Sequence, residues 1–393
     1  MSATVVKLGE GLPHGPPAPP LLDPAGPRIE LGGADPLVGP VMPAADTMFG
    51  PRGAWSFPDG TLWVADTGHH RLLGWARPPE RDGQPADWVL GQPGFDREGR
   101  NALGSASALT MNVPCGVAPY GERGMAVADA WNHRVLVWRE VPRESHVPAD
   151  FVLGQVDFAG QSPNRADDVQ GGERAAADTL HWPFQVLVHG GRLYVADGGN
   201  RRVLVWRELP DDSGVPADFA LGQPDRTSRS DNAGGAPNAA TMRWPHDLAV
   251  HDGDLVVTDA GNNRVMIWDG RPDDDGVPCA RVLGQTDFES VDHNRSSYWP
   301  DARCLNMPYG VSVTPDGVLA VADTANSRLV GFRSTATGAE AVLMTGQDNF
   351  AAKGDNRWQA QTRDSLCWPY GLRFVGGRAI VCDTGNHRVL LWQ

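Results

Sequence analysis

The 393-residue chain is 41% hydrophobic, enough for a packed core, and by length alone would hold two or three domains. Its net charge of −14, from 48 acidic against 34 basic residues, comes without any basic cluster and argues against nucleic-acid binding. No stretch approaches the roughly 20 apolar residues of a membrane span. The start MSATVVKLGEG lacks a basic-then-apolar signal peptide, and five cysteines without C-x-x-C spacing are expected as free thiols in a cytoplasmic protein.

In chain order, residues 1–27 come first and include LPHGPPAPPLLDPAGP, which predicts an extended or disordered proline-rich arm. Residues 28–393 read as one domain, because one phrase recurs six times. It is VADTGHHRLLGW at Val64, VADAWNHRVLVW at Val127 and VADGGNRRVLVW at Val195, then VTDAGNNRVMIW at Val257, VADTANSRLVGF at Val321 and VCDTGNHRVLLW at Val381. The anchoring aspartates, Asp66, Asp129, Asp197, Asp259, Asp323 and Asp383, fall 60 to 68 residues apart. Short β-rich runs at a fixed period, with no amphipathic helical stretch, predict propeller blades and override the length prior.

The second unit gives the pattern of one blade. VPCGVAPY, GMAVADA, RVLVWRE and FVLGQVDF are four strand candidates separated by turn residues. The aspartate ends the second strand, where its carboxylate can accept backbone N–H bonds. The asparagine after it tolerates left-handed backbone. The arginine opens the third strand and can fork onto the aspartate of its own or a neighbouring blade. Six copies of this core point to a structural role. Trp75, Trp138, Trp206, Trp268 and Trp392 share one third-strand position, which predicts packing between blades.

Each third strand is followed by a second phrase, VLGQPGFD at Val89 and its relatives at Val152, Ala220, Val282 and Met344. From that glutamine to the proline opening the next blade run 21, 27, 21, 22 and 21 residues, far more than the usual loop of about 4–6. Each connection carries an asparagine, Asn101, Asn164, Asn232, Asn294 or Asn356, so ordered connections packed side by side are expected. The last unit stops at Gln393 without a fourth strand, whereas RIELGGADP from Arg28 matches the missing phrase. Residues Ile29–Gly32 are therefore expected to pair with Val389–Trp392 and close the ring.

The D-x-G-N-x-R-hydrophobic phrase resembles the NHL repeat, over about Ile29 to Gln393. The resemblance implies an all-β fold: a six-bladed β-propeller of four-stranded antiparallel blades, the last closed by an N-terminal strand. The sequence departs from the repeat at His69, where the other units have asparagine, and at Ser327 and Phe332.

Strand alternation puts the long connections and the Asp…Arg turns on one face, with only short turns expected on the other. First strands line the channel, so residues beside their opening prolines belong at its mouth. Directly after the prolines stand Arg52, Cys115, Phe184, His246, Tyr309 and Tyr370; two before them stand Phe49, Asn112, His181, Arg243, Asn306 and Cys367. These positions vary where the scaffold does not. Arg52, Asn112, Arg243, Asn306, Tyr309 and Tyr370 are candidate ligand-binding residues, the arginines suiting an anionic group. Cys115, His181, His246 and Cys367 are candidate ligands for a transition metal, Zn²⁺, Cu⁺ or Fe²⁺; the alternative is small buried hydrophobes and backbone-bonded histidines. No other cofactor is expected. A calcium site would want oxygen ligands, and only Asn112, Asn306 and Asp247 offer them.

Two functions fit. No nucleophile elbow, P-loop or H-E-x-x-H motif is present, which favours a binding or scaffold propeller for a protein or small-molecule partner at the mouth. The alternative is a metal-dependent lyase or hydrolase centred on the channel, as the resemblance to some NHL-like propellers implies.

Overall fold

In the computed structural model, which describes residues 15–33, 41–168 and 174–393, the β-rich runs form six four-stranded antiparallel sheets. Blade two runs Pro114–Tyr120, Gly124–Asp129, Arg134–Trp138 and Phe151–Leu153. Alternate side chains of each strand enter the two neighbouring inter-blade cores. Val127 and Leu136 pack toward blade one, Ala126 and Val137 toward blade three. The repeated tryptophans fill these cores, and Trp138 Nε1 donates to the Val147 carbonyl at 3.1 Å, so its one polar atom is satisfied.

Blade six comprises Pro369–Val375, Arg378–Asp383 and Arg388–Trp392, and Ile29–Gly32 completes it. Ile29 lies opposite Leu391 and Gly32 opposite Arg388. The expected closure is present, and no sheet edge is left open at the seam.

The Asp…Arg core explains why each blade turns and how it holds its neighbours. Asp129 is followed by a single 3₁₀ turn, Ala130–Asn132, and by His133 in the left-handed region at φ 52°. One Asp129 oxygen accepts the Asn112 N–H at 2.7 Å. The other accepts from Arg134 Nε at 2.8 Å and Asn132 Nδ2 at 2.7 Å. The arginine pairs with its own blade's aspartate. It then spends its remaining N–H groups on carbonyls of two successive connections: Phe158 at 2.5 Å, Ser107 at 3.1 Å and Thr110 at 2.8 Å. Both side chains are fully buried.

The connection asparagines also have partners. Asn101 and Asn132 exchange reciprocal amide bonds at 3.0 and 2.8 Å, locking a connection to the turn of the blade it enters. Blade one has His69 in that place, bonded to Asp66 at 2.8 Å and to the Val41 carbonyl at 2.9 Å. Burial alone would lower its pKa, but these two acceptors outweigh burial and raise it.

One expectation is filled in by the structure and one is corrected. The arm was read as extended or disordered over 1–27. Of it, residues 1–14 lie outside the described residues, and residues 18–23 are docked. Leu21 N–H donates to the Met344 carbonyl at 3.0 Å, and Met344 N–H to the Pro19 carbonyl at 2.8 Å. Leu22 is buried in the core shared by blades five and six, and Trp392 Nε1 donates to the Asp23 carbonyl at 3.2 Å. Two leucines inside a proline-rich stretch supply enough apolar surface to hold it. The opposite face does not carry only short turns either. Third and fourth strands are joined there by long segments such as 76–87 and 139–150. Between blades one and two the 139–150 segment borders a groove of about 740 Å³ that includes Asp59, Arg123, Glu140 and Arg143.

Candidate functional site at the channel mouth

The six residues that follow the opening prolines close the channel. His246 lies between Phe184 and Tyr309, ring centroids 4.0 Å away on each side and nearly parallel to Phe184 at 7°. Tyr309 meets Tyr370 at 4.3 Å, and the Arg52 guanidinium lies 4.7 Å from the Tyr370 ring centre. Arg52 Nη1 reaches Cys115 Sγ at 3.9 Å, and Cys115 packs on Phe184. Arg52, Cys115, Phe184, His246, Tyr309 and Tyr370 thus follow one another around the axis.

The next position inward is glycine in four blades: Gly53, Gly116, Gly310 and Gly371. A Cβ on Gly310 would stand 2.6 Å from the Tyr370 carbonyl oxygen, so only glycine lets adjacent first strands approach this closely. Asp247 occupies this level in blade four and forms a bidentate pair with Arg373 of blade six, both bonds 2.7 Å. Both are buried. Between ring and ion pair remains a cavity of about 30 Å³, room for one or two water molecules.

The electrostatics of the ring are those of neutral groups around one cation. Burial raises the Cys115 thiol, with Arg52 pulling the other way. Burial, then Arg52, drives His246 well below the ordinary histidine value. Burial, then Tyr370, pushes the Tyr309 hydroxyl up. At neutral pH these three are an unionised thiol, a neutral imidazole and a phenol.

The candidate residues divide accordingly. Arg52, Tyr309, Tyr370, Cys115 and His246 are brought together. The residues two before the prolines are not. Each has its backbone N–H on the repeat aspartate, as at Asn306 with Asp323 and Arg243 with Asp259, 2.7 and 2.9 Å. The Asn112 side chain donates to the Trp131 carbonyl, and the Arg243 guanidinium lies 3.4 Å from Asp231.

The metal quartet expected from the sequence does not assemble. Phe184 stands between Cys115 and His246 in the ring. His181 packs edge-on to His133 and against Trp182. Cys367 abuts the Gly385 turn of its own blade. Burial, with Asp355 and Asp383, raises the Cys367 thiol to about 12, far from the thiolate a metal needs. Among the described residues no group of three or more His, Cys, Asp or Glu side chains could hold a metal ion.

Sequence reading missed a further inter-blade device. In five of the six blades the left-handed residue that closes the Asp…Arg turn sends its side chain onto the next blade. His70, His387 and Asn263 accept the backbone N–H of Val113, Gly50 and Met307 at 3.1, 3.0 and 2.9 Å. The signal was the short list of acceptors at that position: His, His, Asn, Ser and His, broken only by Arg201. Arg201 cannot accept; it pairs with Asp231 at 2.6 Å, and Trp244 N–H turns to Asp259 instead.

The profile of the NHL repeat matches residues 242–268 and 305–332, within the fourth and fifth units. The chain is a six-bladed propeller that carries NHL repeats. This propeller resembles solved structures at the level of fold alone. A candidate gluconolactonase aligns with a TM-score of 0.50 and 14% identity, covering 96% of this chain and 97% of that one. A Bacteroides thetaiotaomicron protein of unknown function gives 0.50 and 12%, over 93% and 74%. Virginiamycin B lyase of Staphylococcus aureus gives 0.44 and 10%, over 89% and 86%. No curated protein matches the sequence.

Proposed function

We propose that this NHL propeller is a binding protein that docks a protein partner on the face carrying the long connections. The observation that carries the reading is where large apolar side chains meet solvent. Met42, Leu103, Leu109, Val156, Tyr298 and Trp358 in the long connections, Trp131 in the blade-two turn, and Phe49 and Trp182 just before the opening prolines are all exposed. Among the described residues Val342, between the third and fourth strands of blade five, is the one exposed large apolar side chain outside that set. Exposed apolar surface gathered on one side of a soluble domain marks an interaction site, and aromatic side chains dominate the energetics of protein interfaces. The closed axis, with about 30 Å³ free, weighs against a substrate site inside the channel, since ligand pockets run to about 300–1,000 Å³.

The test is site-directed photo-crosslinking in the source cells. A photoreactive residue at Leu103 or Trp358 should yield one defined adduct, lost when Trp131→Ser and Trp182→Ser are combined. The same residue at Val342 should yield none. Equal adducts from both faces, or an adduct indifferent to the double change, would reject the reading.

A further inference from the structure

Among the described residues Arg52 is a half-buried cation without an anion. Its Nε is sealed from solvent and meets no acceptor. Nη1 touches only the weak acceptor Cys115 Sγ, and no acceptor is bonded to Nη2 among the described residues. Its charge rests on the Tyr370 face. The one carboxylate lining the same cavity, Asp247, is taken up bidentately by Arg373. The cavity therefore holds two guanidinium groups and one carboxylate. An unpaired buried charge is costly, and this fold satisfies its buried arginines thoroughly: each of the six repeat arginines, like Arg134, is spent on a carboxylate and several carbonyls.

We propose that the Nε and Nη2 edge of Arg52 receives a carboxylate group entering the channel mouth from the long-connection face. The free edge offers two parallel N–H donors, the geometry that binds a carboxylate side-on. Around it stand the Cys115 thiol, the His246 imidazole and the Tyr309 phenol, none of which competes as an anion, and the Tyr370 ring. Arg52 and Tyr370 are the two partly exposed members of the ring, while Cys115, Phe184, His246 and Tyr309 are buried, so entry is on the blade-one and blade-six side. His246, stacked between two rings, forms no hydrogen bond with any described residue, and its neutral N–H can donate to the incoming group. About 30 Å³ of space admits a carboxylate head and excludes a larger acid from full entry. The inference rests on the docking reading only for one source of that head: a small free acid, or the carboxylate of a docked chain.

The experiment is thermal unfolding at constant ionic strength, replacing chloride with formate, acetate or N-acetylglycine, beside uncharged N-acetylglycinamide. The carboxylates should raise Tm by several degrees in a saturating manner, as a ligand bound only to the native state does. The amide should do nothing. A larger shift with acetate or formate identifies a free acid; a larger shift with N-acetylglycine identifies a chain carboxylate. Arg52→Gln should abolish the shift and Arg52→Lys should weaken it. Titration of wild-type protein with ¹³C-formate, read by line broadening, gives the same answer if either variant fails to fold. No carboxylate shift in the wild type, or an equal shift in Arg52→Gln, overturns the proposal. No partner is involved, so that failure leaves the docking reading standing. Loss of crosslinks with the formate shift intact in Trp131→Ser/Trp182→Ser leaves this one standing.

Discussion

His133 of blade two accepts, through Nδ1, the backbone N–H of Trp182 in blade three at 3.1 Å. That bond requires an unprotonated Nδ1, and burial, then His181, lowers the His133 pKa to about 3. His70 and His387 hold equivalent positions and are also lowered, mainly by burial.

A pH dependence follows. In the unfolded chain these histidines titrate near the ordinary value of about 6.5. Between there and the lowered folded value the unfolded state binds more protons, so stability rises with pH in that window. The contribution is complete above about 6.5 and is lost progressively as pH falls toward 3. His133→Asn keeps an acceptor, as Asn263 does in blade four. Its unfolding free energy should fall less steeply than wild type between pH 7 and pH 5, measured by urea titration at each pH. Parallel profiles would show that His133 does not titrate with unfolding.

Arg134→Ala should be severe. It deletes every bond of a fully buried guanidinium and leaves Asp129 charged inside the fold, a loss of about 3–5 kcal/mol. Arg134→Lys should recover little, because an ammonium cannot span the carboxylate and three carbonyls together. Equilibrium unfolding within about 1 kcal/mol of wild type would mean that the carbonyls are hydrated without penalty.

The Asp247–Arg373 pair should behave differently from its single variants. Asp247→Asn strands the Arg373 charge and should cost about 3–5 kcal/mol, whereas Asp247→Leu with Arg373→Met should cost much less. A double-mutant cycle on unfolding free energies measures the coupling. Additive single changes would mean that the pair is not coupled.

The docked segment 18–23 should contribute measurably. A chain starting at Ala25 loses the buried Leu22, a side chain worth about 1.5–3 kcal/mol, and should melt several degrees lower. A chain starting at Gly33 loses the closing strand and should aggregate. Identical melting of the Ala25 start and the full chain would make the docking superficial.

What the sequence could and could not convey follows from period. Architecture, closure and the role of the Asp…Arg core were legible because each is written six times, or once with a visible gap at Gln393. The mouth was only half legible. Counting from the prolines found Arg52, His246, Tyr309 and Tyr370, but counting cannot tell which side chains meet across an axis. The metal grouping of Cys115, His181, His246 and Cys367 failed for that reason: residues two before the proline point back onto their own blade's turn, whereas residues just after it point inward. Asp247–Arg373 was hidden because its partners are 126 positions apart and neither belongs to the repeat.

The closing strand sets an order of events in folding. Glu30 and Arg388, which bond across the seam, are 358 residues apart. During synthesis residues 29–32 leave the ribosome early and remain without a sheet while five blades form. Joining ends so distant in sequence costs only slowly more with length, and less still once folded blades have curved them together. The seam therefore cannot form before Arg388 has been made. It is a molecular clasp, and a chain halted anywhere before residue 388 keeps its first strand free to pair with a neighbour.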